Sequence, residues 1–381
     1  MKSKLSITVI VITVLLTFSY LIPFCLSQNY SSSYQLLNEP DGSTVYGLNV
    51  TVQQLLYEYY RGQTHTLSSD QDFAKFVTPY ALEPIADSLW EIYRDDEDFA
   101  NGVLMIAHQI PYEVTEPAKY PVETIVENKG DCDLLSFIAA SIMRAGGLNV
   151  VLLYYKDKAH MNVGVSLSHT PQDARSKVYY VTYNNIKYYI AECTGGDWRD
   201  GWRVGEYPDK LKRASAKVIT LENCDCEGGS PEQVSASYKT LASSTISLII
   251  SPTYLIQGGT VTLSGQLSPP LQNRTITIYI KINNSPWKVL DTTTTNHGGY
   301  FTYAWNTEAA GICYIRASWS GNNDYAGADS TIQTVTILST FFVLLLTGTL
   351  ILVCLGMVVF FISRQTQPEV QEPQPPEIPY T

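Results

Sequence analysis

Between Cys132 and Ala145 the chain carries apolar residues on nearly every side of a helix: Leu134, Leu135, Phe137, Ile138, Ala139, Ala140, Ile142 and Met143. A helix without a polar stripe cannot rest on a surface and has to be wrapped by other elements. Whatever this chain folds into must be built around that segment. Asp131 offers an N-cap, and Gly146-Gly147 a C-terminal stop. The first helical position is Cys132, in the polar run Gly130-Asp131-Cys132-Asp133. A thiol at a helix start is a poised nucleophile, because the dipole and unpaired N–H groups favour its thiolate and lower its pKa from about 8.5.

The surroundings read as helices first and antiparallel strands afterwards, an α+β pattern. Residues 28–94 read as a mainly helical extension, with one helical stretch near Val52 to Tyr60. Ile85, Leu89, Ile92 and Tyr93 share one helical face, and Phe99, Val103, Ile106 and Ala107 another. Asp95-Asp96-Glu97-Asp98 precedes the second, where negative charge suits a helix N-terminus. Strands are expected at Val150 to Tyr155, Met161 to Leu167, Val178 to Tyr183 and Lys187 to Cys193, with Asn184-Asn185 turning the last hairpin. These make a domain over 95–226, and a linker rich in Gly, Ser, Ala and Thr fills 227–245. Residues 246–337 change to short alternating strands punctuated by Gly, Pro and Asn, the pattern of an all-β sandwich.

Two apolar runs set the expected topology. Lys2 and Lys4 precede Leu5 to Phe24, the n- and h-regions of an export signal over residues 1–27; an uncleaved signal anchor is the alternative. Ile337 to Ile362 carries no charge and, as a transmembrane helix over 338–363, is long enough to span about 30 Å of hydrocarbon. Arg364 follows, and residues 364–381, rich in Pro, Gln and Glu, read as a disordered cytoplasmic tail. The expectation is a single-pass cell-membrane protein with everything between the runs outside. A net charge of −11 argues against nucleic acid as the main partner, since phosphates want a basic face. Seven cysteines are too few for a disulfide scaffold; outside the cell, Cys193 is expected to bond Cys224 or Cys226. Cys224-Asp225-Cys226 lacks a matching second pair, so no metal or other cofactor is expected.

Three residues are the candidate catalytic set. Cys132 opens the central helix, His160 stands at the start of one strand and Glu192 at the end of another. Acyl transfer by a cysteine needs a histidine to take the thiol proton and an acid to orient that histidine. A simple meander would put His160 and Glu192 at opposite ends of the sheet. The triad therefore requires strand 187–193 to run antiparallel directly beside 160–167, with 168–185 as an excursion. Asp197 and Asp200 are possible substitutes for Glu192, while Trp198 and Trp202 either wall a groove or pack beneath the Gly195-Gly196 loop. The Cys132 backbone N–H is the expected oxyanion donor.

The runs Tyr120-Pro-Val-Glu-Thr124, Gly130-Asp-Cys132, Gly146-Gly-Leu-Asn-Val-Val-Leu-Leu153, His160-Met-Asn-Val-Gly164, Tyr188-Tyr-Ile-Ala-Glu-Cys-Thr194 and Trp202-Arg-Val-Gly-Glu-Tyr-Pro208 resemble prokaryotic transglutaminase-like proteins. The resemblance covers about residues 95 to 210. It implies a papain-like core with Cys132 as nucleophile, His160 as general base and acid, and Glu192 orienting His160; the family more often has Asp at that third position. Residues 246–337, through Thr295-Asn-His-Gly-Gly-Tyr-Phe301 and Ala317-Ser-Trp-Ser-Gly-Asn-Asn323, are similar to bacterial Ig-like repeats, which implies a spacer or adhesion module. The leading expectation is a membrane-anchored extracellular cysteine enzyme acting on an amide in a protein or peptide through an acyl-thioester, hydrolysis favoured over transfer to an amine. The competing one is a catalytically silent binding or adhesion protein making cell-surface contacts through its Ig-like domain.

Overall fold

The computed structural model describes residues 29–365 except 41, 196, 223, 225–231 and 240, with side chains described as far as 359. The export signal expected over 1–27 and nearly all of the tail expected over 364–381 lie outside the described residues. The described chain is α+β.

It opens with a hairpin of β1 (Asn29–Leu37) and β2 (Val45–Gln53), paired antiparallel from Asn29↔Gln53 to Leu37↔Val45. Five helices follow: α1 (Gln54–Arg61), α2 (Pro79–Ile92), α3 (Asp96–Ala107), α4 (Pro121–Glu127) and α5 (Cys132–Ala145). Then come β3 (Asn149–Tyr155), β4 (His160–Ser166), β5 (Tyr180–Tyr183), β6 (Ile186–Ala191) and β7 (Lys217–Ile219), forming one antiparallel sheet in the order β5-β6-β4-β3-β7. The β5–β6 turn is Asn184-Asn185, both residues at positive φ as a tight hairpin turn requires.

The mainly helical reading of 28–94 is corrected at its start. Asn29–Leu37 and Val45–Gln53 are strands, and alternation sends Leu36, Leu48, Val50 and Val52 into the core; the helix begins only at Gln54. Nor does a boundary fall between residues 94 and 95. Side chains from Tyr34 through Leu89 and from Phe99 through Cys193 share one hydrophobic core, so the extension and the expected domain are one body.

At its centre lies α5, where every residue from Leu134 to Met143 is buried. Its two interior serines turn back on the helix, Ser136 Oγ donating to Cys132 O at 2.7 Å and Ser141 Oγ to Phe137 O at 2.6 Å. That satisfies both hydroxyl protons within the helix, and Ser141 Oγ also accepts from Thr78 N–H at 2.9 Å. The helix stops where Gly147 takes φ +88°, with Leu148 N–H donating to Met143 O and Gly147 N–H to Arg144 O, each at 3.0 Å. This left-handed ending needs a residue without Cβ strain.

The second body comprises β9 (Thr245–Ser251), β10 (Tyr254–Ile256), β11 (Thr260–Ser268), β12 (Thr275–Ile282), β13 (Lys288–Thr294), β14 (Tyr300–Asn306), β15 (Gly311–Gly321), β16 (Ala326–Asp329) and β17 (Gln333–Leu338). A sheet β14-β11-β9 faces a sheet β10-β17-β15-β12-β13, with β16 on β15, across a shared core that includes Leu263, Ile278, Trp305, Ile315 and Val335. This is a two-layer β sandwich.

The expected linker is structural where it is described. Ser235–Ser237 form β8, which pairs with β2 through Thr51↔Ser235, and the strand is buried. Contacts between the bodies follow. Gln53 Nε2 donates to Ser320 O at 2.8 Å, Leu55 N–H to Asp329 Oδ2 at 3.0 Å and Trp287 Nε1–H to Glu58 Oε2 at 3.0 Å. The sandwich is therefore fused to the first body. Beyond Ser339 comes α6 (Thr340–Gln365), of which Thr340–Val359 is long and apolar enough to cross a membrane and has no buried part.

Candidate active site

Matched lengths bring Cys132 and His160 to one place. The 14 residues of α5 rise about 21 Å, and the 7 residues of β3 run back about 23 Å. The far end of β3 therefore arrives beside the start of α5. There a short turn, Lys156–Lys158, ends at Ala159 in the left-handed region (φ +43°), and β4 begins at His160 opposite Tyr155. A left-handed alanine costs roughly 1–2 kcal/mol. The strain is spent where the backbone meets the sulfur: Cys132 S–H donates to Ala159 O at 3.8 Å, and Met161 N–H points at the same sulfur. The thiol thus touches the residues on either side of His160.

Glu192 is delivered by the pairing that the triad demanded. β6 runs antiparallel directly on β4, in register Val163↔Ala191, and β5 lies outside it as the excursion. Continuing that register sets Glu192 across from Asn162, diagonal to His160 and on the same face of the sheet. His160 Nε2–H donates to Glu192 Oε2 at 2.9 Å, and Asn162 Nδ2 approaches the same oxygen at 3.4 Å. Thr194 gives Oε1 two donors, its N–H at 3.0 Å and its hydroxyl at 2.5 Å. Burial alone would raise the Glu192 carboxyl, but His160 and Thr194 overcome it and hold the group below its usual range. With the proton on Nε2, Nδ1 keeps its lone pair, and it has no hydrogen-bond partner among the described residues.

The thiol departs from expectation. Burial pushes Cys132 up to about 11; the Asp133, Asp131 and Glu192 carboxylates add to this, against the Met161 N–H. At neutral pH the resting sulfur is a thiol and not the thiolate that its helix start suggested. Asp131 does not cap α5 with its side chain; Oδ2 accepts from Thr115 N–H at 3.0 Å instead, and Oδ1 is buried without a protein donor. Asp133 is pushed up to about 8, first by burial and then by its hydrogen bond and charge contact with Asp131.

The sulfur lies at the floor of a groove of about 810 Å³. Leu67, Phe73, Tyr112, Val114, Tyr154 and Met161 supply its apolar lining, and Glu116, Asp131 and Asp133 its carboxyls; among the described residues no Lys or Arg lines it. Trp198 and Trp202 are not part of that groove. They line a separate small cleft with His108 and Gly201, and the Arg199 guanidinium lies over the Trp198 ring at 4.9 Å. Asp197 and Asp200 are not needed as partners for His160, since Glu192 holds it.

Nothing in the sequence marked His108. It caps the end of α3, is half-buried, and donates from Nε2 to the Glu192 backbone carbonyl at 3.0 Å, fixing the main chain that carries the acid. Thr194 stood in a conspicuous block but without a role. The expected pairing of Cys193 fails: its thiol is free and buried, lying 3.5 Å from Ala191 O. Cys224 is held in a disulfide whose partner lies outside the described residues. Elsewhere, ligand atoms of Asp95, Asp96 and His169 lie within 4.8 Å of one another on the surface, a common arrangement of acidic groups without an ion.

No family model matches the chain, and no curated protein does. Among solved structures it is similar over short stretches to the alkylpurine DNA glycosylase AlkC of Pseudomonas fluorescens bound to DNA containing an abasic site analog. That match has 14% identity and a TM-score of 0.20, covering 25% of this chain and 30% of the glycosylase chain. It is likewise similar to the human F-spondin reeler domain, with 13% identity and a TM-score of 0.19, covering 24% of this chain and 88% of that one. The chain thus spans less than a third of the first of these. Likenesses this slight carry no argument about fold or function.

Proposed function

We propose that the chain is an outward-facing, membrane-anchored, transglutaminase-like cysteine enzyme that cleaves or transfers amide bonds through an acyl-thioester, followed by an Ig-like sandwich. The observation that carries the reading is the buried His160–Glu192 pair, set between Ala159 and Met161, whose backbones meet the Cys132 sulfur, with Cys132 and His160 lining one open groove. Because the resting sulfur is a thiol, His160 acts as general base during attack and not as half of a preformed ion pair. The Cys132 Sγ–H proton passes to Nδ1 as sulfur bonds the substrate carbonyl carbon. The oxyanion forms at the Cys132 N–H, a first-turn donor without an intrahelical acceptor. Glu192 stabilises the imidazolium. His160 then returns the proton to the leaving amine, and the acyl-enzyme remains.

Water resolves it more readily than an amine, since an open groove does not exclude solvent. The acyl donor is a protein or peptide substrate outside the cell, with Thr340–Val359 as the membrane anchor. A second reading, a silent binding or adhesion module, draws on the thiol pushed up to about 11. Mixing the full chain with a pool of reporter peptides, quenching in acid and weighing the Cys132 peptide decides between them. A hydroxylamine-labile adduct on Cys132, lost in Cys132→Ser, supports the enzyme; its absence across the pool supports the silent module.

A further inference from the structure

Register between the two bodies fixes how high the groove stands above the membrane helix. β17 ends at Leu338, and α6 starts two positions on at Thr340. The end of the large sheet marked by Ile256↔Leu338 and Gly311↔Ile337 therefore sits at the mouth of that helix. Its side chains suit a headgroup layer: Ile256, Ile312 and Leu338 are 46%, 44% and 41% exposed, with Tyr254 beside them at 74%. Away from that end, each residue of the sheet adds about 3.3 Å.

The first body does not stand on the far end of this sheet; it lies along its side. Leu55 N–H meets Asp329, which pairs with Ser318 near the far end of β15. From there α1 descends. Glu58 accepts from Trp287, the neighbour of Lys288, and Lys288 lies across from Ile280 and so level with Ile315. Gly62, just past α1, packs on Pro286: a Cβ at Gly62 would come within 2.7 Å of the proline Cβ. Pro286 follows Ile282, which pairs with Cys313, only two residues from Gly311. Gly62 is thus about 10 Å above the membrane end of the sheet. His65 and Leu67, just beyond it, form a lip of the groove around Cys132. Even a fully extended chain puts His65 within about 20 Å of that end.

We propose that the groove serves substrates held at the bilayer, namely the juxtamembrane segment of another anchored protein. The inference rests on the nucleophile reading of Cys132 and on α6 as a membrane span. The Gln53, Leu55 and Glu58 contacts remove the freedom a tethered enzyme would otherwise use to sweep the space above the membrane. What is left is a groove at one low height, where a membrane-bound segment reaches a local concentration of about millimolar without extra contacts.

The test uses the full chain carrying Cys354→Ser in phosphatidylcholine vesicles. One thiol-directed electrophile is presented free, on a lipid through a flexible tether of about 8 residues, or through one of about 40; the short tether reaches about 28 Å when extended. The proposal expects Cys132 to be labelled faster from the short tether than from the long one, and roughly 100-fold faster than from the free probe at equal total amount. Long-tether labelling equal to or faster than short-tether labelling overturns it. Should even the free probe react no faster with Cys132 than with the denatured chain, the nucleophile reading fails by itself. Height is then read by energy transfer to acceptor lipids from a dye on Leu67→Cys, in a chain that also carries Cys132→Ser and Cys354→Ser so that the dye goes to position 67. A separation within about 30 Å keeps the low placement, and a longer one overturns it.

Discussion

Glu192 accepts the His160 Nε2 proton at 2.9 Å with both side chains buried, and Thr194 supplies two donors to the other carboxylate oxygen. The acid is held ionised, so its charge is available when His160 takes the thiol proton. Glu192→Gln keeps an acceptor but loses that charge. Acyl-adduct formation on Cys132 should fall on the order of 10³-fold with the fold retained. The carboxyl lies below its usual range, so its stabilising contribution is complete above that range and is lost as pH falls through the depressed value. Melting curves of the two proteins should accordingly converge in acid and separate above it; parallel curves at every pH contradict the assignment.

Asp133 is pushed up to about 8 beside Asp131, so it is neutral at pH 7 and charged above 8, where its charge opposes thiolate formation at Cys132. Asp133→Asn should leave alkylation of Cys132 near pH 7 almost unchanged. Above pH 8 it should move the rate profile to lower pH. An alkylation profile from pH 6 to 11 reads this directly, and superimposable profiles speak against the carboxyl pair.

Glu232 is buried where the two bodies meet, near Ser318 and Asp329. Burial raises its carboxyl well above the ordinary range, with Asp329 adding to the rise against the Ser318 hydroxyl. The folded state then holds the proton longer than the unfolded chain, so stability falls as pH rises above the normal carboxylate range. Glu232→Gln should melt higher at pH 8, by roughly 2–4 °C per kcal/mol regained, and equal the parent near pH 4. A lower melting point at pH 8 would show that the ionised group is needed at the interface.

Gly102 lies inside α3, where alanine normally stabilises by about 0.5–1 kcal/mol. Here a Cβ would come within 2.1 Å of the Tyr93 ring, whose hydroxyl donates to Leu37 O at 2.6 Å. Gly102→Ala should therefore destabilise by about 1–3 kcal/mol. Thermal unfolding decides the sign, and a stabilised variant contradicts this packing.

Local rules made the centre of the molecule legible. The all-round apolar run at 134–143 is buried throughout, Asp95 caps α3 by accepting from Asp98 N–H at 2.9 Å, and Asn184-Asn185 turn the hairpin. The order β5-β6-β4 follows from asking where His160 and Glu192 would have to meet. What stayed hidden depends on partners distant in sequence. Ser31–Ser33 and Asn49 look like loop residues until β1, β2 and β8 pair. His108 finds its carbonyl acceptor 84 positions away, and the Cys132 thiol is raised first by burial, which no local pattern reports. Gln53 and Glu58 fall in the stretch read as helical from Val52 to Tyr60, and both bind the sandwich through partners more than 200 positions away.

The central claim is that Cys132 is activated by His160, and alkylation by iodoacetamide at pH 7 tests it most directly. In the native chain, Cys132 should react at least about 10-fold faster than in the urea-unfolded chain, and His160→Ala should abolish the difference. Equal rates in native and unfolded protein, or a His160→Ala variant as fast as the parent, would contradict the account.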